Sequence, residues 1–331
     1  MIATTIVNAP ARISAVGMFA PERILDNEYF AKLVDTNDEW IVQRTGIRTR
    51  HVVVDGQFAS HLAIGAIDDL LAKNPGIDIN TVDYIIVGST TPDYEYPTLS
   101  AMLQAHYGLP KTVGALDIKT ACAAFVYGIN LACGLITSRQ AKRVLVVVAD
   151  SLTRSVDYTD RSTCVLFGDG AGVALIEYSD TPAISGMDSG SDGTGGKFLY
   201  RTGFRSEING IEDPSKLLRQ DGQSVYRWVL ENVPPVAHRV LERAGLTLDQ
   251  IDWFVPHSAN LRMIEALAKR LSFPMERTLV SVCEYGNTSA VSIPLALVPA
   301  VRDGRVKPGD RVLLVAFGGG LVTAGNVIVW T

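Results

Sequence analysis

The sequence predicts an α/β fold assembled from two similar halves, and three observations carry the prediction. The chain has 331 residues, 47% of them hydrophobic, which is more than a single hydrophobic core usually organises. Short apolar runs alternate with amphipathic helical stretches, the pattern of βα units. The second half then repeats the first. Ile251-Asp252-Trp253-Phe254-Val255 echoes Val82-Asp83-Tyr84-Ile85-Ile86, and Arg311-Val312-Leu313-Leu314-Val315 echoes Arg143-Val144-Leu145-Val146-Val147. The offsets, 252 − 83 = 169 and 311 − 143 = 168, agree within one residue. That is duplication on the scale of a domain, not a short solenoid repeat. The expected division is residues 1–185 for the first half, 186–222 for connecting loops that wall the site, and 223–331 for the second half.

Taken in order, Arg12–Phe19 reads as the first strand, ended by Pro21, and Asn27 as the cap of a helix through Leu33. Asp38–Arg48 mixes a tryptophan with arginines near a glycine turn. That suits stacking on a flat ring and binding phosphate; taken alone, a surface loop with its Trp tucked into the core is the commoner outcome. A helix at Ala59–Ala72 leads to a buried strand, Ile79–Gly88, and the loop Ser89–Pro97. A helix at Ser100–His106 leads to a second buried strand ending near Thr120, and a long helix runs from about Cys122 to Ser138. Lys142–Ala149 is the next strand. Gly168-Asp169-Gly170-Ala171-Gly172 lacks the Lys-Ser/Thr of a P-loop and the dinucleotide spacing, so a tight turn into the buried strand Val173–Ile176 is expected. Gly186–Gly222, rich in Gly, Ser and Asp, reads as loops.

Composition excludes several function classes. Four cysteines do not make a disulfide framework in a chain this long, so thiols reduced in the cytosol are expected. Met1-Ile2-Ala3-Thr4-Thr5 lacks a basic region followed by an apolar core, so no signal peptide is expected. Val144–Ala149 and Val312–Phe317, the longest apolar runs, are strand-sized and too short for a membrane. A net charge of -5 argues against nucleic acid as the main partner.

Cys122 stands where a strand gives way to a helix. Unpaired N–H groups at a helix head stabilise a thiolate, the nucleophilic form. Free cysteine is also among the most buried residue types, so its partners must decide. His257, in Val255-Pro256-His257-Ser258, follows a repeated strand. Asn287, in Tyr285-Gly286-Asn287-Thr288-Ser289-Ala290, precedes a helix expected near Ala290, with Ala290 or Val291 the duplicated counterpart of Cys122. A loop histidine and a plain N-cap are the bland alternatives. Ligands of parallel α/β sheets collect outside such strand ends, so the three coincidences point to one site.

With these motifs in hand, the chain resembles the β-ketoacyl-acyl-carrier-protein synthase III family of thiolase-like condensing enzymes. The resemblance runs in order through Asp38-Glu39-Trp40-Ile41, Arg44–Arg48, Thr120-Ala121-Cys122-Ala123, Phe167–Gly172, Pro256-His257, Ala259-Asn260-Leu261-Arg262, Gly286–Ala290 and Phe317–Gly320. Elongating ketosynthases carry a second His where Asn287 stands. Thiolases carry a Cys near the C-terminal glycine run, which here is Ala316-Phe317-Gly318-Gly319-Gly320. Cys133, Cys164 and Cys283 read as structural.

The resemblance implies a layered α-β-α-β-α core and a homodimer. It implies that Cys122 takes an acyl group from acyl-CoA, with the N–H groups of Cys122 and Gly319 as oxyanion hole. His257 and Asn287 would stabilise the enolate formed when a malonyl thioester loses CO2. Coenzyme A would be held by Trp40, Arg161, Arg44, Thr45 and Asn260. Arg262, Lys269 and Arg270 share a helix face and, with Arg227, would dock malonyl-acyl-carrier protein; an ordinary solvated face is the alternative for Lys269 and Arg270. Phe317 would pack behind the nucleophile, and Tyr96 would cap a partner's acyl pocket. No metal or other cofactor is implied, coenzyme A being part of the substrate. Departures from the family pattern at Ser258, Ala124 and Lys119 bear on the primer and the pathway. Two alternatives stand beside this: a specialised acyltransferase of a secondary pathway that needs no decarboxylation, and a non-catalytic carrier-binding subunit.

Overall fold

The structure, a computed structural model, describes residues 8–331. Two five-stranded sheets stack with helices between and outside them. The first runs Ala11–Phe19, Asp169–Tyr178, Arg143–Ser151, Tyr84–Gly88, Gly114–Ile118. The second runs Asn8–Ala9, Ile184–Ser191, Val322–Val329, Arg311–Gly318, Trp253–Pro256. Parallel pairing is confined to one side of each sheet: Tyr84–Gly88 lies parallel to both its neighbours, and Trp253–Pro256 to Arg311–Gly318. The remaining ladders are antiparallel, so the sheets are mixed rather than largely parallel.

The repeat seen in the sequence is a repeat of hydrogen bonds. The Asp83 carboxylate accepts from the N–H groups of Lys142 and Arg143 at 2.6 and 2.9 Å. The Asp252 carboxylate accepts from Arg311 N–H at 2.8 Å. Each aspartate thus pins the start of its strand to the start of the next. Between the sheets lie Ala124–Thr137 and Ser292–Arg302, the equivalent central helices. Phe125, Ile129, Ile293 and Leu297 are wholly buried there; burying each such side chain is worth about 1.5–3 kcal/mol. Gly88 and Gly128 let the first helix approach its sheet, since an added Cβ would stand 2.4 Å from Ala124 Cβ and 2.6 Å from Val146 Cγ1. Ala59–Lys73 covers the outer face of the first sheet, and Gly222–Ala244 with Leu261–Leu271 covers that of the second. The result is the expected α-β-α-β-α layering. Among the described residues no helix is long and apolar enough to cross a membrane.

Several local expectations are corrected. Gly114–Ile118 is an edge strand with Ala115 and Leu116 exposed, not a buried one, because it has a neighbour on one side only. Ile79–Thr81 is a 3-10 turn before the strand Tyr84–Gly88. Gly170 and Gly172 lie inside the strand Asp169–Tyr178 instead of forming a turn; an added Cβ on Gly172 would meet Pro294 Cγ at 2.2 Å. The loop region expected from Gly186 begins inside the strand Ile184–Ser191, whose apolar alternation is masked by Gly186 and Asp188 at its inward positions. Asp26, not Asn27, caps the helix Asn27–Ala31. Asn27 is buried and bonds Asp38 and Arg50. Asp38–Thr45 is a helix, capped by Asn37 and stopped by Gly46 at φ +76, where a left-handed residue is needed.

Candidate active site

The nucleophile junction is tighter than a plain helix start. Ala121–Ala123 forms a 3-10 turn and the α-helix begins at Ala124. Ala121 takes φ +45, a strained value for a residue with a Cβ. Gly318 lies directly against Cys122: a Cβ there would stand 2.7 Å from Cys122 N and 2.9 Å from its Cβ. Only glycine lets the end of the strand Arg311–Gly318 reach the nucleophile. The N–H groups of Cys122 and Gly319 both favour negative charge at the sulfur, as does the Ser289 hydroxyl. Burial outweighs them and pushes the thiol up to about 11. Burial thus works against the thiolate that the helix head was expected to favour.

His257 follows the strand Trp253–Pro256 and is buried. Its Nδ1 lies 2.7 Å from Ser292 Oγ. Ser292 Oγ also accepts from Ser258 N–H at 3.1 Å, so its single hydroxyl proton is free to donate to Nδ1. When Ser292 donates in this way, the neutral ring carries its proton on Nε2. Burial holds His257 down at about 3, so the ring is neutral at ordinary pH. Phe317 packs edge-to-face on this ring at 5.1 Å.

Asn287 is held by the other half of the molecule. Its N–H donates to Leu166 O at 2.8 Å, and its carbonyl accepts from Gly168 N–H at 3.1 Å. Gly168 must be glycine, since a Cβ would stand 2.1 Å from Tyr285 O. This is the structural work of the Phe167–Gly172 motif. Asn287 Oδ1 accepts from Ser289 N–H at 3.0 Å, which orients the amide and leaves Nδ2 as a free donor.

Cys122, His257 and Asn287 line one cavity of about 710 Å³. Trp40, Arg44, Thr45, Arg161 and Asn260 line it too, as do Phe317 and Gly319. Arg161 lies over the Trp40 ring, 5.0 Å from its centroid, and donates to Asp35 O at 2.7 Å. Thr45 is buried, its hydroxyl bonded to Ile41 O. Asn260 caps the helix Leu261–Leu271 and donates to Arg44 O at 3.3 Å. The segment Asp38–Arg48 therefore faces the cavity, against the loop expected from its residues alone.

The chain matches the 3-oxoacyl-[acyl-carrier-protein] synthase III family over residues 116–193, and the C-terminal part of the same family over residues 241–330. It is 47% identical over 324 residues to β-ketoacyl-[acyl-carrier-protein] synthase III 2 of Halalkalibacterium halodurans, covering 97% of both chains. It is 48% identical over 322 residues to the Bacillus subtilis protein of that name, covering 97% of this chain and 98% of the other. The chain belongs to the β-ketoacyl-acyl-carrier-protein synthase III family. Among solved structures it is similar to the synthase III of Thermus thermophilus, with a TM-score of 0.93 and 40% identity over 97% of this chain and 99% of that one. It is also similar to the priming β-ketosynthase of the R1128 polyketide pathway, with a TM-score of 0.90 and 35% identity over 98% and 97%. The fold is thiolase-like, and the protein is an acyltransferase.

Within this synthase III frame some expected site residues stand apart from the cavity. Tyr96 is 88% exposed and does not line the chain's own cavity. Lys119 pairs with Glu95 at 3.6 Å on the surface. Arg262 is not a free docking cation: it bonds the carbonyls of Val42 and Gln43 and pairs with Glu265. Lys269, Arg270 and Arg227 are exposed on the two outer helices. Cys133 and Cys164 are buried, and Cys283 lines a separate small cavity. Reading from sequence missed Ser292, Ser289 and Asp150. Ser292 carried no signal beyond its match to Ala124 in the repeat. Asp150 sits at the end of a parallel strand, where the strand-end rule that found His257 also points.

Proposed function

We propose that the protein condenses an acyl-CoA primer with malonyl-acyl-carrier protein, with loss of CO2, to give a 3-oxoacyl-acyl-carrier protein. One observation carries the reading: a cysteine thiol, two backbone N–H groups aimed at it, and two neutral side-chain donors open onto one cavity. The names of the relatives agree with it. Cys122 attacks the acyl-CoA carbonyl, and the oxyanion is met by Cys122 and Gly319 N–H. Coenzyme A leaves as the thiol. Malonyl thioester then enters and loses CO2. Its carbonyl oxygen gains charge and is met by His257 Nε2–H and Asn287 Nδ2–H. The enolate carbon attacks the acyl-Cys122 thioester, and the cysteine is released. A neutral histidine suits this step because it donates without first needing a proton. Every step is assigned to the chain's own groups, with the coenzyme A thioester as substrate rather than cofactor.

Trp40 and Arg161 suit the flat adenine, and Arg44 the phosphate side. Arg227, Lys269 and Arg270 suit an acidic carrier protein. We assign the protein to the cytosol, where its four free cysteines stay reduced. We also propose a homodimer. The free edge of Gly114–Ile118, exposed Leu116, and Tyr94 and Tyr96 beside it support an interface that brings Tyr96 to the partner's acyl pocket; a monomer by light scattering would remove that part.

The test is malonyl-carrier protein labelled in its free carboxyl, supplied with acyl-CoA. Labelled CO2 should be released in step with the 3-oxoacyl product. Acylated Cys122 without CO2 would favour the acyltransferase that does not decarboxylate.

A further inference from the structure

Beside the nucleophile lies a buried carboxylate that the condensation scheme does not use. Asp150 is wholly buried at the end of the strand Arg143–Ser151. One of its oxygens, Oδ1, accepts from five donors of the loop above it: Ser89 Oγ, Thr90 N and Oγ1, and Thr91 N and Oγ1, at 2.7–3.3 Å. The other, Oδ2, is buried with no hydrogen-bond partner. Among the described residues no cation pairs with it. A half-satisfied buried carboxylate is costly and calls for a reason.

Ser289 supplies one. It lines the cavity with Cys122, and its hydroxyl is likewise buried without a partner. The turn Ser289–Val291 packs against both the strand Arg143–Ser151 and the turn Ala121–Ala123. Ser289 holds φ +56, a strained conformation for a residue with a side chain. Its hydroxyl is hydrogen-bonded to neither Cys122 nor Asp150 at rest, but the packing of its turn on both segments sets it near enough to favour charge on each. A hydroxyl has one proton and accepts another, so it can relay between the two but cannot donate to both.

We propose that Ser289 and Asp150 form a proton relay for Cys122, separate from His257, with Ser289 touching the thiol and Asp150 acting through it as a positioning residue. As the thiol attacks, its S–H bond breaks and the proton passes to Ser289 Oγ. The original Ser289 proton passes to Asp150 Oδ2. The sulfur electron pair forms the bond to the acyl carbon, and the C–S bond to coenzyme A breaks. The departing sulfur takes a proton from Ser289, which regains one from Asp150. No proton is gained or lost overall. The other ionisable groups facing the cluster are His257 and Asp169. His257 is held near 3 by burial and is a poor acceptor, whereas burial shifts Asp150 upward. Asp169 is occupied by Val53 N–H and by Thr153.

The inference rests on Cys122 being the nucleophile, and its test reads the thiol rather than turnover. Alkylation of Cys122 by iodoacetamide is followed by intact mass from pH 6 to 10 in the full chain, for the parent, Ser289→Ala and Asp150→Asn. The relay predicts slower alkylation at pH 8 in both variants, by about ten-fold, with the profile displaced to higher pH. Simple electrostatics predicts the opposite for Asp150→Asn, since removing a nearby negative charge eases thiolate formation. The double variant should be no slower than either single one, because both lie on one path. Asn keeps an oxygen for the Ser89–Thr91 loop, and Ser289→Ala breaks none of that loop's bonds, so distortion of the loop cannot produce the result in both. Equal or faster alkylation in either variant overturns the relay and leaves the condensation reading standing.

Discussion

The two helix heads at the centre of the molecule share a backbone and divide the chemistry. Thr120-Ala121-Cys122-Ala123-Ala124 and Thr288-Ser289-Ala290-Val291-Ser292 lie 168 residues apart, as 288 − 120 = 168. In each, a threonine near φ -100 precedes a residue in the left-handed region, then a 3-10 turn, then a helix whose first residue sits at φ -61, ψ -32. The strained turn therefore belongs to the duplicated fold and not to the nucleophile alone. The side chains differ. The first turn offers a thiol at its tip. The second offers Ala290 there, but it carries Asn287 before the turn, Ser289 on it and Ser292 after it. In the proposed scheme one copy reacts, and the other holds the donors and the ring that serve the reaction.

Substitutions at the two heads and on the outer helix test that division, from the largest effect to the smallest. Cys122→Ala should abolish the acyl-enzyme entirely by intact mass, whereas Ala290→Gly at the matching tip should still acylate. Asn287→Ala should slow malonyl decarboxylation by about 10²–10³-fold, the scale of losing one donor to a developing oxyanion. Acylation of Cys122 should survive it; equal loss in both half-reactions would erase the distinction between the two heads. Ser292→Ala removes the proton that fixes His257 Nδ1 as acceptor, and decarboxylation should fall about ten-fold with little change in KM. Arg270→Glu should weaken use of the carrier-bound substrate by about three- to ten-fold, more at low salt, and spare malonyl-CoA. Arg262→Glu should impair both substrates, because Arg262 ties its helix to the carbonyls of Val42 and Gln43.

The neutral histidine has a signature in stability. Its folded pKa, about 3, lies below the ordinary value of 6.5. Below pH 6.5 the unfolded chain takes a proton that the folded one refuses. Stability should therefore fall as pH drops from 6.5 toward 3, by ~2 kcal/mol at pH 5 from this group. Urea unfolding at pH 7.5 and pH 5 should show that loss in the parent and a smaller one in His257→Gln.

The duplication was legible because strand starts repeat a residue pattern: Asp83 and Asp252 do the same job for Arg143 and Arg311. Cys122, His257 and Asn287 were legible because each stands where a strand or helix ends, and motif order put them in one family. The strand Ile184–Ser191 was not, because Gly186 and Asp188 at its inward positions erase the apolar alternation that marks a strand. Arg262 showed its charge in the sequence but not its bonds to Val42 and Gln43, which lie some 220 positions away in the chain. The sequence by itself determined the α/β duplication, the cysteine at the strand-to-helix junction and the family, since local periodicity and residue type suffice for these. Tertiary structure alone decided that burial works against the Cys122 thiolate, that burial keeps His257 neutral, and that Asp150 and Ser289 pack around the Cys122 turn. Those are properties of burial and of contacts between distant segments, and no local pattern encodes either.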